Sequence, residues 1–315
     1  MIVLNENELH LHMDLLKKLC AIQAPSGDES PVKNFLLEYV QLNSKTWEQI
    51  PKVIEGEQFQ DCMIWAFGKP RTAVFVHMDS IGFTVRYNNQ LIPIGAPHVD
   101  EGDWLVGADS KGKIEGQVHF TEEDAAELTF AREIERGTTL TFKPDFIETE
   151  ESIQCCYMDN RLGLYVALKL AETLQDGLIV FSAYEEHSGG AVPFLAKYMY
   201  EEYAVSKALI CDITWITEGV QHGKGVAISM RDRLIPRKTW LNHIIQLANK
   251  SGITFQLEVE GSGSSDAREL QAAPYPFDWC FIGAPESNVH SPRELVYKKD
   301  IQSMIEMYAF LMKSI

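Results

Sequence analysis

The stretch Leu178-Ile179-Val180-Phe181-Ser182-Ala183-Tyr184-Glu185-Glu186-His187-Ser188-Gly189-Gly190-Ala191 reads as a strand that runs into a loop and then a helix. Ile179 to Tyr184 is rich in β-branched and aromatic types with two small residues among them, the texture of a buried parallel strand, and Ser188-Gly189-Gly190 frees the backbone to turn. Glu185-Glu186 therefore falls at a strand's carboxyl end, where ligands bind in open α/β sheets. A lone Glu-Glu pair would be solvated loop. Its weight comes from the other strand ends.

Working back toward the amino terminus, an apolar strand Ala73 to Val76 ends in His77-Met78-Asp79, and alternation places His77 and Asp79 on one face. An aspartate there can accept a hydrogen bond from the imidazole nitrogen turned away from a metal. Working forward, Gln154 to Met158 runs into Asp159-Asn160-Arg161 before a helix through Leu164 and Leu170. Taken alone, Asp159 would be a helix cap and Arg161 a salt-bridge partner. Lys207-Ala208-Leu209-Ile210-Cys211 stops at Asp212, and His290 follows a last strand, Phe281 to Pro285. A helix is expected over 7 to 21, carrying Leu9, Met13, Leu16 and Leu19. Another starts with Ser30 as its cap and Pro31 at the first helical position. Between about Phe83 and Phe146 the texture changes to short alternating segments, with one short helix expected over Thr121 to Leu128.

The expected fold is thus α/β, a mixed but mostly parallel sheet flanked by helices. Residues 1–83 and 149–315 form the catalytic domain and 84–148 an inserted β-rich domain that serves oligomer contact or site shaping. At 315 residues the chain exceeds the usual single core of about 250, which agrees with two domains. The apolar share of 45% and charged share of 23% are those of a soluble globular enzyme. A net charge of -17 disfavours nucleic acid and anionic membranes as partners. No apolar run approaches 18 residues and no signal pattern follows Met1-Ile2-Val3-Leu4-Asn5-Glu6, so a cytoplasmic location is expected. The six cysteines have no CxxC spacing and read as buried free thiols.

His77, Asp159, Glu185, Glu186, Asp212 and His290 gathered in one crevice would repel and be costly to desolvate unless positive charge sat among them. Two divalent ions balance three ligand carboxylates and one hydroxide, and nitrogen and oxygen donors suit them.

His77-Met78-Asp79-Ser80-Ile81-Gly82, Met158-Asp159-Asn160-Arg161, Glu185-Glu186, Asp212, Gly223-Lys224-Gly225, Ser265-Asp266-Ala267 and His290-Ser291-Pro292 with Glu294 resemble, in the same order, the signatures of the M42 family of di-metal aminopeptidases. The resemblance implies that Asp159 bridges two ions, with His77 and Asp212 completing one and Glu186 and His290 the other. It implies that Glu185 is the general base toward the water between them, and that Asp79 orients His77. Zn²⁺ is the expected ion, with Co²⁺ or Mn²⁺ suited to the same donors. Short peptides are the implied substrates and a homo-oligomer, dimer up to dodecamer, the implied assembly. The family usually has Glu where Ser80 stands and Arg-Tyr where Ser287-Asn288 stand. A related amidohydrolase acting on N-acyl amino acids and a metal-binding scaffold without turnover are the competing expectations, the second opposed by the intact Glu185. A polysaccharide hydrolase would leave both histidines without a role.

Overall fold

In a computed structural model the backbone is described for residues 6–315 and side chains from Met13 onward. The expectation about Met1 to Asn5 and the side chain of Leu9 lie outside the described residues. The sheet at the centre has the strand order Lys52–Ile54, Met63–Phe67, Gly177–Ser182, Ala73–His77, Lys207–Trp215, Asp278–Ser287, Glu294–Tyr297, Ser152–Cys155 and Ile147–Glu148, and a branch in which Val226–Arg231 pairs with Asp278–Ser287 and with Phe255–Val259. Period-two burial explains the layering. Val74, Val76, Ile179, Phe181, Leu209 and Cys211 face one apolar core, under helices Glu6–Cys20, Ser30–Asn43, Met158–Ala171, Lys238–Ser251 and Lys298–Ser314. Ala73, Phe75, Leu178, Val180, Ala208 and Ile210 face a second core, under helices Val192–Tyr203 and Ala267–Ala272.

The sheet is mixed, with four parallel and six antiparallel strand pairs among the described residues. Gly177–Ser182, Ala73–His77, Lys207–Trp215 and Asp278–Ser287 run parallel at the centre, as does the pair Val226–Arg231 with Phe255–Val259. The flanks and the branch point are antiparallel, some joined by short returns of the chain and others, such as Gly177–Ser182 with Met63–Phe67, pairing segments distant in sequence. A second, wholly antiparallel sheet has the order Leu91–Ile94, Gly82–Val85, Thr139–Phe142, Trp104–Asp109, Gly112–Phe120 and Ala126–Thr129.

Three local expectations fail for identifiable reasons. The helix expected over Thr121 to Leu128 is a turn, closed by the Thr121 hydroxyl accepting the N–H of Ala125 at 3.2 Å, followed by the edge strand Ala126–Thr129. Pairing with Gly112–Phe120 overrides the helical propensity of Glu122 to Leu128. Ser30 is the first residue of its helix, with Glu29 at the cap position. Asp212 lies inside Lys207–Trp215 rather than at its end, since pairing with Asp278–Ser287 continues through Trp215.

Gly163 shows how closely the helix after Asp159 sits on the sheet. A Cβ added there would come within 2.7 Å of the Cys211 carbonyl and 2.1 Å of Asn160 Oδ1. Gly163→Ala must push the helix off its strand, at about 1–3 kcal/mol. The expected result is a fall in Tm of several degrees by scanning calorimetry; an unchanged Tm would mean that the contact has slack.

Candidate metal centre and active site

His77 closes Ala73–His77 and is buried at 1% exposure; Asp212 and Asp159 are buried beside it. Its Nε2 lies 3.1 Å from Asp159 Oδ1 and 3.4 Å from Asp212 Oδ2. The other oxygen of Asp159 lies 3.3 Å from Nε2 of His290, and that nitrogen is 3.1 Å from Glu186 Oε2. Two donor groups result, His77 with Asp159 and Asp212, and Asp159 with Glu186 and His290, the ligand atoms within each lying within 4.8 Å of one another. Asp159 belongs to both. Its carboxylate is spent on the two imidazoles and not on capping the helix.

The surroundings hold this arrangement through the main chain. Tyr184 and His290 have left-handed φ values of 65° and 63°, which cost a non-glycine residue roughly 1–2 kcal/mol each. Each is held by a buried carboxylate. Glu29 Oε1 accepts the N–H of Tyr184 at 3.2 Å, and Glu294 Oε1 accepts that of His290 at 2.8 Å while its Oε2 accepts that of Asp159 at 3.3 Å. Asp79 has more to hold than a ring. Its carboxylate accepts the N–H groups of Glu185 and Glu186 at 3.1 and 3.0 Å and the Ser26 hydroxyl at 2.5 Å. His77 Nδ1 has the Asp79 carbonyl at 3.2 Å and the Asp79 carboxylate at 3.6 Å. Ser265 donates to Asp212 Oδ2 at 2.6 Å. Arg161 is fully buried, and instead of a salt bridge its guanidinium donates to the carbonyls of Met78 and Ile22. Ser80 donates to the Ala24 carbonyl at 3.3 Å, and Ser287 lies 2.7 Å from His222 Nε2.

Positive charge is what these groups lack. Burial opposes a charge on His77, yet Asp212 and Asp159 hold its pKa well above the ordinary imidazole value. Against the same opposition, Asp159 and Glu186 push His290 up to about 12. Burial and the Asp159 charge raise Glu186 to about 7, and its Oε1 is buried with no partner. Burial pushes Glu185 well above the carboxylate range; His77 opposes the shift, and Glu186 and Asp212 add to it. An orphaned carboxylate oxygen and two mixed nitrogen–oxygen donor groups fit divalent ions.

A profile of the family described as M42 glutamyl aminopeptidase matches residues 110–307. The chain belongs to that family. This M42 chain is accordingly a metal-dependent aminopeptidase, a hydrolase acting on peptide bonds. Its fold is shared with the aminopeptidase APDkam598 of the archaeon Desulfurococcus kamchatkensis, with a TM-score of 0.84, 22% identity and 98% and 96% of the two chains covered. It is shared also with the Pyrococcus horikoshii TET1 peptidase, a protein that can assemble into a tetrahedron or a large octahedral shell, with a TM-score of 0.79, 19% identity and 95% and 98% covered. A Thermotoga maritima protein described as an endoglucanase matches with a TM-score of 0.72, 18% identity and 94% and 96% covered. No helix among the described residues of the M42 chain is long and apolar enough to cross a membrane.

Ser265 and Glu294 stand in motif strings that give them no role, and Glu29 stands in none. Glu29 gives a pH test of its own. Burial raises its carboxyl from 4.5 to about 7, with Asp79 adding to the shift. Between those values the folded protein keeps a proton that the unfolded chain has lost, so stability falls as pH rises through the window, by up to about 3 kcal/mol. Glu29→Gln removes that titration. Denaturant unfolding at pH 4.5 and 8 is expected to show the variant gaining on the wild type across the interval; parallel profiles would mean that Glu29 ionises normally.

Proposed function

We infer that this chain removes N-terminal residues from short peptides with two divalent ions, Zn²⁺ or in its place Co²⁺ or Mn²⁺, held by His77, Asp159 and Asp212 on one side and Asp159, Glu186 and His290 on the other. The observation that carries this reading is the division of Asp159, whose two oxygens address imidazoles from opposite ends of the sequence. Ions bound there would polarise a carbonyl and acidify water. Glu185 belongs to neither donor group and lines the same cavity, so it is free to take a proton from the attacking water and deliver it to the departing amine. Asp79 holds Glu185 and Glu186 in register from behind through their N–H groups.

Residues 84–148 are read as an inserted domain between the catalytic segments 1–83 and 149–315. It meets the site at three points. Gly95 donates to His187, His98 donates to the His290 carbonyl, and Arg293 pairs with Asp100 and Asp103. Exposed Ile92 and Trp104 on this part support a homo-oligomer formed through it. Six buried free thiols suit a reducing cytoplasm.

The test combines metal analysis with a panel of aminoacyl 4-nitroanilides, N-acyl amino acids and a β-glucan. The expected result is two metal equivalents per chain and turnover of free-amine anilides alone, abolished by a chelator and restored by Zn²⁺, Co²⁺ or Mn²⁺. Turnover of N-acyl amino acids alone, or fewer than two equivalents in active protein, would overturn it.

A further inference from the structure

The cavity lined by Asp159, Glu185, Glu186, Asp212 and His290, of about 250 Å³, is lined also by Asp232, Glu258 and Glu260. These acids come from the branch of the sheet: Asp232 follows Val226–Arg231, Glu258 lies in Phe255–Val259 and Glu260 follows it. Asp232 and Glu258 are 6% and 4% exposed. Asp232 Oδ1 accepts the N–H of Leu234 at 2.5 Å, but Oδ2 is buried without any partner. Glu258 accepts the Thr214 hydroxyl. Carboxylates this buried are costly unless a cation meets them. Among the described residues Arg268 is the one arginine or lysine in the lining, and it makes no ion pair with them. The three acids do not converge into a further donor group for a metal ion. Their wider spacing suits a cation that donates hydrogen bonds in several directions. The cavity is lined also by Trp215 and Phe281, apolar surface for an aliphatic stem.

We propose that this cavity receives a cationic N-terminal side chain, so that the preferred substrates are peptides beginning with lysine or arginine, with Asp232 and Glu258 as the specificity-determining carboxylates. The assignment rests on the aminopeptidase reading above and names the substrate class for the same site. A glutamyl side chain would bring a further carboxylate into the acidic end.

The experiment compares kcat/KM for lysine, arginine, norleucine and glutamate 4-nitroanilides on the metal-loaded enzyme, and titrates free L-lysine and L-norleucine into it by calorimetry. Lysine and arginine are expected to exceed norleucine at least tenfold and glutamate by more, and L-lysine to bind at least tenfold tighter than L-norleucine. Asp232→Asn and Glu258→Gln are each expected to lower the lysine-to-norleucine ratio about tenfold, and the wild-type comparisons decide the matter where a variant fails to fold. Norleucine or glutamate equal to lysine in rate, or equal binding of the two amino acids, would overturn the proposal. Should no anilide be turned over while L-lysine still binds selectively, the aminopeptidase reading fails and with it the substrate assignment, and only the pocket for a cationic side chain stands.

Discussion

Glu185→Gln is expected to keep both metal equivalents and lose about 10³-fold in kcat, within the range for removing a general base. The reason lies in how the residue is held. Its main-chain N–H donates to Asp79, a contact indifferent to what the side chain carries, and its carboxylate contributes to neither donor group. Glutamine matches glutamate in shape and hydrogen-bonds, but it cannot accept a proton. Metal content by plasma emission spectroscopy and KM for an aminoacyl anilide should therefore stay near the wild type while kcat falls. Loss of an equivalent of metal in this variant would move Glu185 into the donor set and leave the reaction without the proposed base.

Asp159→Asn is expected to empty both positions together. Each donor group drops from three ligands to an imidazole, one carboxylate and a neutral amide, and the carboxylate that balances two cations is gone. Less than half an equivalent of metal in total and a rate loss above about 10⁴-fold are anticipated, with thermal unfolding shifted by only a few degrees because the helix behind Asp159 rests on apolar packing. His290→Ala supplies the contrast: it touches one group and should remove about one equivalent. If Asp159→Asn kept one full equivalent, its two oxygens would not be shared between ions.

Much of this site is legible in the sequence because its chemistry falls where apolar segments end. Burial of Ala73–His77 and Gly177–Ser182 follows from their composition, and the placement of His77, Glu185 and Glu186 follows from the strands. What stays hidden depends on pairing between distant segments. Asp212 looks like a terminus because an acid interrupts an apolar run, yet the neighbouring strand carries the ladder past it to Trp215. Thr121 to Leu128 looks helical because its residues are good helix formers, and only the partner strand makes it an edge. The roles of Glu29 and Glu294 are invisible for the same reason. They bind N–H groups of residues brought near only by folding, 155 positions away for Glu29 and Tyr184 and 135 for Glu294 and Asp159, and no local period marks such a partnership.

Glu294 grips the backbone of Asp159 with one oxygen and that of His290 with the other. A single side chain therefore acts as a caliper on two of the proposed ligands, setting the gap between them ahead of any cargo. Little flexibility remains to be surrendered on loading, and a guest of the wrong radius must bend the frame rather than have the frame relax around it.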